Sequence, residues 1–194
     1  MGQMLRIGLF GGSFDPVHCA HLLVAQAALE ELNLSRVVFI PAAQSPFKPE
    51  QVPAPAADRL RWLRLALTGN PQFEVDDQEI GRPPPSFTVD TIRNYRERFP
   101  KAELSYIIGA DHVPLLSKWR AADELAATVE FVAIPRPGDP PVQAPPPFRV
   151  RQLTGFPFAI SSRQIRARVR NGLPIEGLVP RAVAEDIRKS GLYL

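Results

Sequence analysis

Short apolar runs alternate with stretches of helical spacing along nearly the whole chain. Leu5–Phe10 is an apolar run that stops at Gly11 and Gly12, and Val37–Ile40 is a β-branched and aromatic run ended by Pro41. Between them Leu22, Leu23, Ala25, Gln26 and Leu29 recur at helical spacing over His18–Leu32. The pattern further predicts helices over Asp58–Leu67, Thr88–Phe99 with Thr88 as cap, Val113–Leu125, Ser162–Asn171 and Pro180–Ser190. It predicts strands over Phe73–Val75, Leu104–Ile108, Val129–Ile134, Arg149–Leu153 and Phe158–Ile160. Proline-rich loops fill 42–57, 81–86 and 135–147 and are too short to separate domains. Strand and helix in alternation imply an α/β fold, a doubly wound, mostly parallel sheet of Rossmann-like type with helices on both faces. Residues 1–194 read as one such domain. Ligands of these sheets bind beyond the carboxyl ends of the strands, where strand order reverses, so residues just after each strand are the ones to inspect.

Composition changes this picture little. An apolar fraction of 45% and a charged fraction of 22% are ordinary for a globular protein. The net charge of +3 has no run of like charges and no aromatic-interleaved basic stripe behind it, so nucleic acid is not an expected partner. Cations that hold a nucleotide's phosphates account for the excess equally well. One cysteine, Cys19, leaves no intrachain disulfide, and no apolar run reaches the roughly 20 residues of a membrane helix; a cytoplasmic protein with no membrane partner is expected. Homo-oligomer formation is left open.

The chemistry concentrates after the first strand, in Gly11-Gly12-Ser13-Phe14-Asp15-Pro16-Val17-His18-Cys19-Ala20-His21. Glycines there admit a phosphate close to the backbone, and the following helix start offers free amides and a positive dipole end. The spacing is neither GxGxxG nor a P-loop. His18 and His21, three apart at a helix start, share one face and can donate to phosphate oxygens as charge builds. A zinc site needs at least a third protein ligand, and the only other histidine is His112, so no metal held by protein side chains is expected. Late in the chain, Ile160-Ser161-Ser162 precedes a helix carrying Arg163 and Arg166; the serines can cap it, and Arg166 can fork onto a phosphate. Cys19, between the histidines, is a candidate for a lowered pKa and for inhibition by thiol reagents.

The first of these segments resembles the signature of the HxGH nucleotidyltransferases, and Ile160–Arg166 resembles their ISSTxIR motif. Within that group the chain is similar to the bacterial nicotinate-nucleotide adenylyltransferases. Ser86-Phe87-Thr88-Val89-Asp90-Thr91 resembles SYTxDT, Ile107–Asp111 with Leu115, Leu116 and Trp119 resembles IIGAD followed by LxxW, and Pro41–Lys48 resembles PAxxPPHK. The resemblance implies transfer of AMP from ATP to nicotinate mononucleotide, with magnesium accompanying the triphosphate. It implies catalytic roles for His18, His21, Arg166 and Lys48. It places ATP on Gly11, Gly12, Ser13, Phe14, Gly109, Asp111, Ile160, Ser161 and Ser162, and the acceptor on Thr88, Trp119, Phe87 and Arg136. A related enzyme acting on nicotinamide mononucleotide or phosphopantetheine, or a non-catalytic nucleotide-binding module, are the alternatives. Four positions depart from the family pattern: Ala20 for glycine, Phe47 for histidine, Phe87 for tyrosine and Arg163 for threonine.

Overall fold

The computed structural model describes residues 4–44, 46, 50, 52–134, 143–156 and 158–194. Six strands form one sheet: β1 (Arg6–Gly12), β2 (Arg36–Pro41), β3 (Phe73–Val75), β4 (Glu103–Gly109), β5 (Glu130–Ile134) and β6 (Val150–Gln152). Every neighbouring pair is parallel, in the order β3-β2-β1-β4-β5-β6. Strand order reverses between β1 and β4, the switch point of a Rossmann-like sheet.

Alternation along each strand sorts the apolar side chains between the two faces. Phe10, Val37, Phe39, Ile107 and Val132 share one core with α1 (Cys19–Glu31), α2 (Ala56–Leu67), α5 (Ser162–Arg170) and α6 (Arg181–Ser190). Ile7, Leu9, Val38, Ile40, Tyr106, Ile108 and Phe131 point to the other face. There they meet α3 (Thr88–Arg98), α4 (Ala122–Thr128) and a 3-10 segment over Ala110–Lys118. Strands buried on both faces explain why the sequence runs there are continuously apolar. The expected fold class and most elements are present, within a residue or two at their ends.

Three expectations fail. The helical pattern over Val113–Leu125 is two elements, because Pro114 lies in a 3-10 segment and Ala121 takes a left-handed turn at φ 53° before α4. Phe158–Ile160 is not a strand: Phe158 is 47% exposed, and Ala159 and Ile160 lead into α5 as extended chain. Thr88 does not cap α3; Phe87 holds the cap position with extended backbone, and the Thr88 hydroxyl lies 3.3 Å from the Tyr106 hydroxyl.

Candidate active site

A cleft of about 1240 Å³ opens over the carboxyl ends of β1 and β4. It gathers most of the residues singled out from the sequence: Gly11–Phe14, His18, His21, Phe87, Thr88, Gly109, Asp111, Trp119, Ile160–Ser162 and Arg166 all line it. Lys48, Phe47 and Arg136 lie outside the described residues.

The two histidines form one unit. His18 holds the cap position of α1 with extended backbone, and its amide donates to Nδ1 of His21 at 3.2 Å. The rings stack with centroids 3.7 Å apart and planes 20° off parallel. A nitrogen that accepts an N–H carries no proton of its own, so the neutral His21 ring carries its proton on Nε2. The Phe14 ring, 2% exposed, meets His21 edge-on at 5.0 Å and backs it with an apolar wall. Phe14 thus contributes to the site by supporting His21, with its backbone in the left-handed region at φ 45°.

Both glycines at the end of β1 have close neighbours inside the protein. A methyl group on Gly11 would stand 2.1 Å from the Tyr106 hydroxyl, and one on Gly12 would stand 3.1 Å from the Phe14 ring. Beside the phosphate approach expected of both, Gly11 is thus also required by close packing within the protein. At the end of β4 the Asp111 carboxylate folds back over Gly109, where a Cβ would lie 2.5 Å from Oδ1.

On the far side α5 begins with a reciprocal cap. Ser161 Oγ accepts from the Gln164 amide at 3.3 Å, and Gln164 Oε1 accepts from the Ser161 amide at 2.9 Å. Ser162 does not cap; its hydroxyl donates to the Pro16 carbonyl at 2.9 Å and ties α5 to the loop after β1. Arg166 Nη1 donates to the Asp15 carbonyl at 2.6 Å and lies 3.5 Å from its carboxylate. Arg163, Arg166 and Arg170, spaced along one face of α5, all line the cleft and make this wall cationic. The fourth departure from the family pattern, Arg163, therefore adds charge to a wall that already carries it.

The opposite wall holds Ser86, Phe87, Thr88, Tyr106, Trp119 and Arg120. Ser86 clips two loops together: its hydroxyl accepts from the Ala43 amide at 3.0 Å, and its amide donates to the Gln44 carbonyl at 3.1 Å. The Arg120 guanidinium lies 4.7 Å from the centre of the Phe87 ring. Trp119 meets Phe131 and Tyr106 edge-on at 5.8 and 6.2 Å, so one part of it belongs to the core and another to the cleft. Burial pushes the Tyr106 phenol well above its usual range, which keeps the hydroxyl protonated. The same cause pushes the Cys19 thiol up, which removes the basis for the lowered pKa expected between the histidines.

Several residues of the site carried no sequence signal. Arg59 is 1% exposed and donates to the carbonyls of Ser13 and Ala42 at 2.8 Å and of Ala54 at 2.9 Å, joining the loops after β1 and β2 to the start of α2. Desolvation lowers its pKa, opposed by the nearby Asp15 charge. Asp15, Tyr106, Arg120 and Tyr193 are likewise brought in by the fold. Asp15, inside the first motif, and Tyr193, in the closing Gly191-Leu192-Tyr193 that fits the family's end, lie in segments with a resemblance, which does not show their partners.

The chain has relatives among known proteins. The family model described as cytidylyltransferase-like matches residues 9–168. A protein of Opitutus terrae, named as a probable nicotinate-nucleotide adenylyltransferase, is 42% identical over 97% of this chain and 98% of its own. One of the same name from Thermus thermophilus is 46% identical over 97% of this chain and all of its own. The chain belongs to the cytidylyltransferase-like family, among the nicotinate-nucleotide adenylyltransferases. A solved structure, the Plasmodium falciparum nicotinic acid mononucleotide adenylyltransferase complexed with NaAD, has the same fold: the TM-score is 0.79 over 97% of both chains, at 19% identity. Among the described residues no helix is long and apolar enough to cross a membrane.

Proposed function

We propose that the cleft transfers AMP from ATP to nicotinate mononucleotide, giving nicotinate adenine dinucleotide and pyrophosphate, a step of NAD biosynthesis. The stacked His18–His21 pair, lining one cleft with a cationic helix at the switch point, is the observation that carries this reading within the family. An oxygen of the acceptor's phosphate attacks the α-phosphorus of ATP in line, and the bond to the bridging oxygen breaks as pyrophosphate leaves. No protein nucleophile is needed, so positioning and charge stabilisation supply the acceleration. His21, with its proton on Nε2, and His18 beside it donate to the α-phosphate as negative charge grows there.

Arg166, with Ser161 and Ser162 at the start of α5, holds the leaving phosphates. Gly109 and Asp111 meet the adenosine ribose, Asp111 as acceptor. Lys48 and Arg136 are assigned to phosphate on the resemblance alone. Thr88, Phe87 and Trp119 hold the acceptor, Trp119 against its electron-poor ring. Magnesium accompanying the triphosphate would supply positive charge against that developing on the leaving pyrophosphate.

Pyrophosphate release from magnesium ATP, measured with nicotinate mononucleotide, nicotinamide mononucleotide and phosphopantetheine in parallel, tests the reading. Release with the nicotinate form in clear preference is expected. Release only with phosphopantetheine would overturn the acceptor pocket around Thr88 and Trp119. No release with any of the three would refute the enzyme.

A further inference from the structure

Asp15 sits in the loop between β1 and α1 and is 8% exposed. Its carboxylate has partners within the protein on both oxygens. Oδ1 accepts from the Ala54 amide at 3.1 Å and from the hydroxyl of Tyr193, which lies beyond α6. The other oxygen, Oδ2, lies 3.5 Å from Arg166 Nη1, and that same nitrogen donates to the Asp15 carbonyl at 2.6 Å. One corner of the Arg166 guanidinium is therefore fixed. Its Nε and Nη2 have no hydrogen-bond partner among the described residues, and Arg166 lines the cleft. A planar fork held at one corner presents its remaining donors in one orientation.

Packing alone does not explain the Tyr193 hydroxyl. Its ring lies 5.7 Å from that of Trp62, which is fully buried and itself donates to Asp186 in α6 at 2.8 Å. A phenylalanine would make that ring contact equally well. Tyr193 also holds a left-handed backbone at φ 71°, uncommon for a residue with a side chain. Burial and the bond to Asp15 push its phenol well up, so the group remains a donor across the working range. The hydroxyl, the carboxylate and the guanidinium thus form one chain of contacts from the segment beyond α6 to α5.

We propose that Tyr193 is a positioning residue: its hydroxyl fixes the Asp15 carboxylate, which in turn orients Arg166 toward the phosphate tail of the bound nucleotide. This rests on the proposed function for the identity of that phosphate ligand.

The test is a double-mutant cycle of Tyr193→Phe and Arg166→Ala, read as kcat/KM for ATP. Tyr193→Phe alone should lower kcat/KM roughly tenfold, less than the roughly hundredfold that a 1 Å misplacement can cause, and leave KM for nicotinate mononucleotide within about twofold. In the Arg166→Ala background it should cause no further loss, because residues that act through one another are not additive. An equal loss in both backgrounds, which a purely structural role would give, overturns the proposal, as does no loss in the parent. The same cycle is also read without turnover, as affinity for inorganic tripolyphosphate. Absence of adenylyl transfer would then refute the function while the coupling is still decided. Should Tyr193→Phe fold poorly, Asp15→Asn keeps an oxygen for Ala54 and Tyr193 but removes the charge beside Arg166, and the same non-additivity with Arg166→Ala is required of it.

Discussion

Gly11→Ala separates two reasons for a glycine at the end of β1. If the position exists only to let a phosphate approach, a methyl group there harms nucleotide binding and leaves stability alone. The structure demands more. The added Cβ would stand 2.1 Å from the Tyr106 hydroxyl and 3.0 Å from Cζ of the same ring. Real carbon atoms essentially never approach within 3.0 Å, so one side must move by about an ångström. Tyr106 cannot simply swing away, because it is 5% exposed and held edge-on by Phe131 at 5.9 Å and Trp119 at 6.2 Å. Overpacking at such a site costs about 1–3 kcal/mol.

Tyr106→Phe removes the atom that the new methyl meets first. Alone it loses the 3.3 Å contact with Thr88, worth about 0.5–1.5 kcal/mol at most. Combined with Gly11→Ala it should recover a large share of the loss, leaving only the tight 3.0 Å approach to the ring carbon. Urea denaturation of the two single variants and the double variant measures this directly. Equal stability of Gly11→Ala and the parent would refute the packing argument. So would strict additivity of the two substitutions, since residues in contact must couple. Because the displaced hydroxyl neighbours Thr88, the Gly11 variant should also raise KM for the acceptor, and the double variant should restore it in part.

Two further outcomes follow from the site. His18→Ala should lower turnover by about 10²–10³, the range for removing one donor to developing charge, while ATP affinity measured by calorimetry changes little; turnover near that of the parent would remove His18 from the mechanism. Glu79 is 4% exposed, accepts from the Thr91 hydroxyl at 2.6 Å and lies near Arg82 and Asp76, and burial holds its carboxyl above the usual value of 4.5. The stability this adds is full below the unfolded value and is lost as pH rises through the higher folded value. Glu79→Gln keeps an acceptor for Thr91 and cannot ionise, so its stability relative to the parent should rise between pH 4 and pH 8. Denaturation curves that show a constant difference across that range would refute the burial argument.

Sequence patterning revealed the sheet because its strands are covered on both sides and read as apolar runs, unbroken in Val37–Ile40 and interrupted only by Ser105 in Leu104–Ile108. It revealed His18, His21 and Arg166 because each lies in a short local motif at a strand end or helix start. It misjudged Val113–Leu125, where helical spacing persists although Pro114 forces a tighter turn and Ala121 breaks the run. At Cys19 a helix start and nearby cations favour a lowered pKa and a buried, inert thiol the reverse; burial decides for the second.

What stayed hidden has one physical character. Arg59, Asp15, Tyr106 and Tyr193 act across the fold through partners between 5 and 178 positions away: Ala54 and Ser13 for Arg59 at 5 and 46, Thr88 for Tyr106 at 18, and Asp15 for Tyr193 at 178. Periodicity reports burial, and local motifs report helix ends and turns; neither reports which buried polar groups find each other. A charged group as enclosed as Arg59 persists only because its donors are met by carbonyls, three of them within 2.9 Å. Those carbonyls belong to the loops that form the cleft, so the cost of burying the charge is offset by bonds that fix the geometry of the site. The cationic face of α5 and the stacked histidines line one cleft whose loops are held by residues that need not touch a substrate at all.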